Sequence, residues 1–107
     1  MIIMALRLTV PPEKTADAIM TVNSMIGQMS VEPGCKHFRL YSDTNNDDAL
    51  MLVEEWESLE ALKQHIQSHD FRKILEVMEL ASRAPEISIN TVSYSEGFEL
   101  IEELRSS

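Results

Sequence analysis

The sequence predicts an α+β fold: one antiparallel sheet of four strands with helices packed on one face. Three observations predict it. Four segments alternate apolar and polar residues with the period of a strand. Between them, apolar residues recur at three- and four-residue spacing, which places them on one face of a helix. The segments follow the order β-α-β-β-α-β, with one more helix at the C-terminal end.

The first strand covers residues 2–10, with Ile2, Met4, Leu6, Leu8 and Val10 on one face and Arg7 and Thr9 on the other. Pro11 and Pro12 end it, because proline lacks the N–H a strand ladder needs. From Glu13 the period changes, and Ile19, Val22, Met25, Ile26 and Met29 form a helical stripe. The run Glu32-Pro33-Gly34 stops that helix, with Gly34 free to adopt positive φ. Residues 35–42 form the second strand, with Phe38 and Leu40 on one face and His37, Arg39 and Tyr41 on the other. Cys35 and His37, two apart, are expected on the same face. The run SDTNNDD is turn chemistry throughout, so the second and third strands are expected to form a hairpin with a long loop. In the third strand, ALMLVEEWE, residues Leu50, Leu52, Glu54 and Trp56 share a face.

Ser58 is placed to cap the next helix, whose stripe is read as Leu59, Leu62 and Ile66. A second stripe runs through Phe71, Ile74, Leu75, Met78 and Ala81. EISINTVSY is the fourth strand, and residues 95–105 a short helix with Ser95 as cap and Phe98, Ile101 and Leu104 on one side. This order is that of a ferredoxin-like βαββαβ sandwich. The 107 residues suit a single domain, 1–107. The helices cover one sheet face, yet Met51 and Val53 make the other partly apolar. A second copy packed on that face is the simplest cover, so a homodimer through the sheet faces is expected.

Composition excludes several functions. The net charge of −9 repels a phosphate backbone, and the basic residues are scattered, so neither nucleic acid nor a membrane surface is an expected partner. The N-terminal run MIIMALRLTV lacks the basic region and small-residue cleavage site of a signal peptide. With one cysteine, Cys35, no internal disulfide can form, and the cytoplasm is the expected compartment.

The candidate chemistry lies between residues 54 and 69. Glu54 sits under the helices, where partial desolvation suits a carboxylate to general-base duty; the plainer alternative, which the residues alone favour, is a strand-end glutamate paired with Lys or Arg. Trp56, the only tryptophan, can line an aromatic pocket and donate its indole N–H, or pack the core, or both. The run His65-Ile66-Gln67-Ser68-His69 has metal-ligand spacing if one helix spans it. Ser68 is a good cap, however, and no third ligand lies near in sequence, so a joint between two helices is expected, with His65 inward, His69 nearer solvent and no metal bound. The alternative for His65 is a boundary histidine bonded to a backbone carbonyl. Cys35 is assigned no role.

The stretch from Glu32 to Phe71 resembles the antibiotic biosynthesis monooxygenase family. The resemblance rests on E-P-G-C, a strand ending E-x-W-E-S, then E-A-L-x-x-H and S-x-x-F. It implies the dimeric α+β barrel fold, with a pocket between sheet and helices. It further implies oxidation of a quinol- or polyketide-like aromatic by O₂ without a bound cofactor, the substrate supplying the electrons. Trp56 and His65 fall on the family's tryptophan and histidine. The positions used by its haem-degrading members hold Leu6, His65 and Leu75, which argues against haem. Leu52 and Leu62 stand where better-understood members carry polar pocket residues. The resulting expectation is an oxygenase with catalytic residues Trp56, His65 and Glu54. Its rivals are a non-catalytic barrel that binds a small apolar molecule, and an oxygen-independent isomerase or lyase acting on a small carbonyl metabolite.

Overall fold

The computed structural model describes residues 1–106. Strand β1 (Ile2–Thr9) leads through a single 3₁₀ turn to helix α1 (Thr15–Met29), followed by β2 (Cys35–Asp43), β3 (Asn46–Trp56), α2 (Leu59–Gln67), α3 (Phe71–Met78), β4 (Glu86–Thr91) and α4 (Phe98–Ser106). The sheet is antiparallel throughout, in the order β2-β3-β1-β4. This is the expected ferredoxin-like α+β fold.

Burial follows the sequence alternation in β1 and most of β3, and Leu6, Leu50, Leu52 and Trp56 reach the core together with Val22, Met25 and Met29 of α1. Helix α1 lies over β2 and against α3, while α2 lies over β3. The covered face therefore spans β2, β3 and β1. On edge strand β4, Ile87 and Ile89 pair with Leu6 and Met4 and so point to the covered side, yet both remain half exposed.

Four local expectations change. The β2–β3 hairpin is tight rather than long: Thr44 and Asn45 alone link the strands, because Asp43 Oδ1 accepts the Asn45 N–H at 2.8 Å and folds the chain back at once. In α2 the buried stripe is Ala61, Leu62 and His65, with Leu59 and Ile66 turned outward; in α3, Val77 replaces Leu75. A bulge at Lys36 sets Cys35 opposite Trp56 but His37 opposite Glu55. An extra residue reverses facing, so Cys35 looks inward and His37 outward. The fourth strand stops at Thr91 and the last helix begins at Phe98 instead of residue 95, directly after Gly97, a poor helix former.

Candidate functional site

Two joints deliver the site. The first is Glu32-Pro33-Gly34. Gly34 has φ +82°, in the left-handed region that suits glycine. A Cβ there would lie 2.5 Å from the Ala61 Cβ, so the turn fits directly beneath α2. The Gly34 carbonyl accepts the Glu57 N–H at 2.7 Å and the Glu32 carbonyl accepts that of Cys35 at 3.0 Å, which pins the turn to the end of β3. The second joint is the start of α2. Ser58 Oγ accepts the Ala61 N–H at 3.2 Å, a side-chain N-cap, and His65 lies one turn after Ala61 on the same inward face.

HIQSH is a helix joint. Helix α2 ends at Gln67, Ser68 is extended (ψ 155°) and its Oγ donates to the His65 carbonyl at 2.7 Å. His65 is buried and His69 exposed.

Trp56, Glu54, His65 and Glu32 form one connected cluster. Trp56 Nε1 donates to Glu54 Oε1 at 2.9 Å. The same oxygen lies 3.2 Å from His65 Nε2, out of line for a good hydrogen bond. On the other side of the ring, Nδ1 is 2.9 Å from Glu32 Oε1. The imidazole stacks on the indole at 4.5 Å between centroids and 28° between planes, and the edges of Phe38 and Phe71 enclose it. The side chains of Glu54 and His65 are fully buried, whereas that of Glu32 is 21% exposed. Glu54 Oε2 and Glu32 Oε2 are buried acceptors with no hydrogen-bond partner.

The structure thus brings together the three residues picked from sequence, and discards the plainer alternatives for two of them. Glu54 meets an imidazole and an indole rather than Lys or Arg, and His65 Nδ1 meets a carboxylate rather than a backbone carbonyl. The indole N–H, expected to face a substrate, is spent on Glu54. Glu32 was legible only as part of a turn.

Electrostatics define what the cluster can do. Burial, the largest single influence, pulls the His65 pKa down; the close Glu54 carboxylate, then the hydrogen bond and charge of Glu32, outweigh it and raise it above 6.5. The indole face also favours a cation stacked on it. The shift favours the charged form of His65, which lies between two carboxylates. Burial foremost raises the Cys35 pKa, only partly opposed by the backbone of His37 and reinforced by Glu54 and Glu32, so Cys35 is a thiol rather than a nucleophilic thiolate.

An apolar cavity lies on the same sheet face as the cluster. Leu6, Leu8, Val22, Leu40, Leu50, Leu52, Ile74 and Val77 line it. Its volume is about 10 Å³, scarcely room for one water. Leu52 precedes Glu54 on the same strand face, so along β3 the apolar lining ends where the polar cluster starts. Among the described residues, no group of three or more His, Cys, Asp or Glu is arranged to hold a metal.

The topology is that of a four-stranded ferredoxin-like α+β sandwich, here with an acid–imidazole–indole cluster between sheet and helices. The chain belongs to the antibiotic biosynthesis monooxygenase family, whose sequence profile matches residues 1–77. Its fold is similar to that of a candidate antibiotic biosynthesis monooxygenase from Deinococcus radiodurans, with TM-score 0.83 over 91% of this chain and 97% of that one, at 15% identity. A conserved protein from Methanosarcina mazei Go1 is 30% identical, with TM-score 0.78 over 83% of this chain and 89% of that one. An uncharacterised Synechocystis protein is 28% identical over 93 residues, 86% of this chain; that match spans 63% of the relative's length. No helix among the described residues is long and apolar enough to cross a membrane.

Proposed function

We propose that the chain is an oxygenase that oxidises a small aromatic quinol- or polyketide-like molecule with O₂, drawing the electrons from the substrate and needing no tightly bound cofactor. The observation that carries this reading is the contact of Glu54, His65 and Trp56 with one another, on the same sheet face as an apolar cavity. Glu54 Oε1 is engaged by the indole and the imidazole, which leaves Oε2 to take the substrate's acidic proton. The imidazolium beside it stabilises the anion that results. Trp56 orients both groups and offers a ring edge to the substrate. The oxidation balances without an outside reductant: a ring CH₂ becomes C=O, one oxygen atom of O₂ enters that carbon, and the other leaves as water with the two hydrogens. Admitting a ring requires the leucine-lined cavity to open, since it is closed in this conformation.

The protein acts as a homodimer through its uncovered sheet face, in the cytoplasm, where a free Cys35 is at home. A monodisperse monomer at micromolar concentration removes the dimer. The enzymatic test is oxygen uptake by metal-stripped protein against naphthoquinols and anthrones, with autoxidation subtracted. Uptake matched by quinone formation, and lost in Glu54→Gln, supports the reading; no uptake across the panel overturns it.

The wholly aliphatic cavity lining favours a second reading, a barrel that binds a small apolar metabolite without changing it. That reading requires saturable quenching of Trp56 fluorescence with no product.

A further inference from the structure

Three of the four clustered side chains are sealed from water, and Glu32 alone of the four reaches it. Its carboxylate is also the better-aligned partner of the imidazole: the Nδ1 contact is a hydrogen bond, whereas the Nε2 contact with Glu54 is close but misaligned. An ionised carboxylate only accepts, so this pairing places a proton on Nδ1. The turn that carries Glu32 is held at both ends, by its own N–H to the Met29 carbonyl at 3.1 Å and by the Gly34 carbonyl to β3. A carboxylate so fixed, with one oxygen on a buried imidazole, the other buried and unpartnered, and a side chain still 21% exposed, is more than a turn residue.

We propose that Glu32 is the proton port of the site: it fixes the orientation of His65 and passes the Nδ1 proton between the buried cluster and solvent. This rests on the reading of Glu54 and His65 as the proton-handling pair. In the step, the Nδ1–H bond breaks with its electron pair left on nitrogen, the proton bonds to Glu32 Oε1, and the imidazolium becomes neutral. The carboxyl then gives the proton to water, and the reverse sequence recharges the ring. The groups facing His65 are Glu54 and Trp56 from β3, Phe38 from β2, Phe71 from α3 and Glu32 from the turn; Cys35 on β2 is coupled to both carboxylates. Glu32 acts through His65, so it is a positioning residue.

The test is nitrogen-15 NMR of the His65 ring in the full chain, which needs no substrate. In the parent, Nδ1 should be protonated on both sides of the ring's titration. In Glu32→Gln the side-chain carbonyl still accepts from Nδ1–H, so the ring stays oriented. The amide cannot take the proton, and its exchange with water should slow by about a hundredfold, the low end of what a positioned proton-transfer group contributes. Unchanged exchange in a folded Glu32→Gln protein overturns the port. An unprotonated Nδ1 in the parent overturns it too, without any variant. Slowed exchange in Glu32→Gln alongside absent oxygen uptake by the parent supports the port and removes the oxygenase, so the two failures are distinguishable.

Discussion

Replacing Gly34 by alanine tests how the site is assembled. Two costs are separable. An L-residue in the left-handed region costs roughly 1–2 kcal/mol, and φ here is +82°. The new methyl would also sit 2.5 Å from the Ala61 Cβ, an overlap that the turn or α2 must relieve by moving, at roughly 1–3 kcal/mol. The expected loss is therefore about 2–5 kcal/mol, read from urea denaturation. Ala61→Gly separates the two costs. Alone it loses about 1 kcal/mol of helix propensity; combined with Gly34→Ala it relieves the overlap but leaves the backbone strain. The double variant should then be more stable than the sum of the single effects predicts, by a coupling energy of about 1–3 kcal/mol. Full additivity would refute the close approach of turn and helix, and with it the argument that the fit under α2 holds Glu32 in place.

Further expectations address the cluster and its supports. Ser58→Ala removes the cap of α2 and should cost about 1 kcal/mol in the same denaturation assay. Glu54→Ala strips one partner from a buried pair and should cost about 3–5 kcal/mol; calorimetry that finds the variant as stable as the parent would count against the pairing. The raised His65 pKa sets a pH dependence. Its stabilisation is fully present below the unfolded value of 6.5 and is lost as the pH rises through the higher folded value, so urea midpoints should fall over that alkaline window and His65→Gln should flatten the fall. Asp43 works in the opposite sense: the Asn45 N–H, then Arg7, lower its pKa below 3.8, so its contribution is present above that value and fades as the pH falls through the lowered one.

The strand faces were legible because period-two burial leaves little choice: β1 alternates buried and half-buried along its whole length. Ser68 and the Pro–Gly turn marked the joints correctly for the same reason, since their backbone preferences are local. The errors came where tertiary contacts decide. Leu59 and Ile66 are more apolar than Ala61 and His65, yet β3 and the Gly34 turn leave room only for the smaller or polar residues. The bulge at Lys36 has no signature in a strand that otherwise alternates. Glu32 was missed because a glutamate before Pro-Gly reads as turn chemistry. The clue available was an acid at a fixed turn beside an inward-facing histidine, and that needs the distance across 33 residues that periodicity does not supply.

The charge balance of the cluster explains why these four residues occur together. Even when the one imidazole is protonated, two carboxylates leave an excess negative charge, part of it fully buried, and Glu54 Oε2 has no hydrogen-bond partner. A fold selected for stability alone would avoid this, since apolar replacement of a whole buried ionic cluster, as opposed to one of its members, is often neutral or stabilising. Buried unsatisfied acceptors persist where they serve a reaction or a ligand. The orphan oxygen belongs to the next residue after Leu52 on the same strand face, and Leu52 lines the leucine-rich cavity; this order favours a ligand with an apolar body and one hydrogen-bond donor, and disfavours a carboxylate. Comparing a phenol with the matching benzoate at equal ring size therefore tests the cluster directly: quenching of Trp56 by the phenol alone agrees with it, and preference for the benzoate would mean that Oε2 is not the group that meets the ligand.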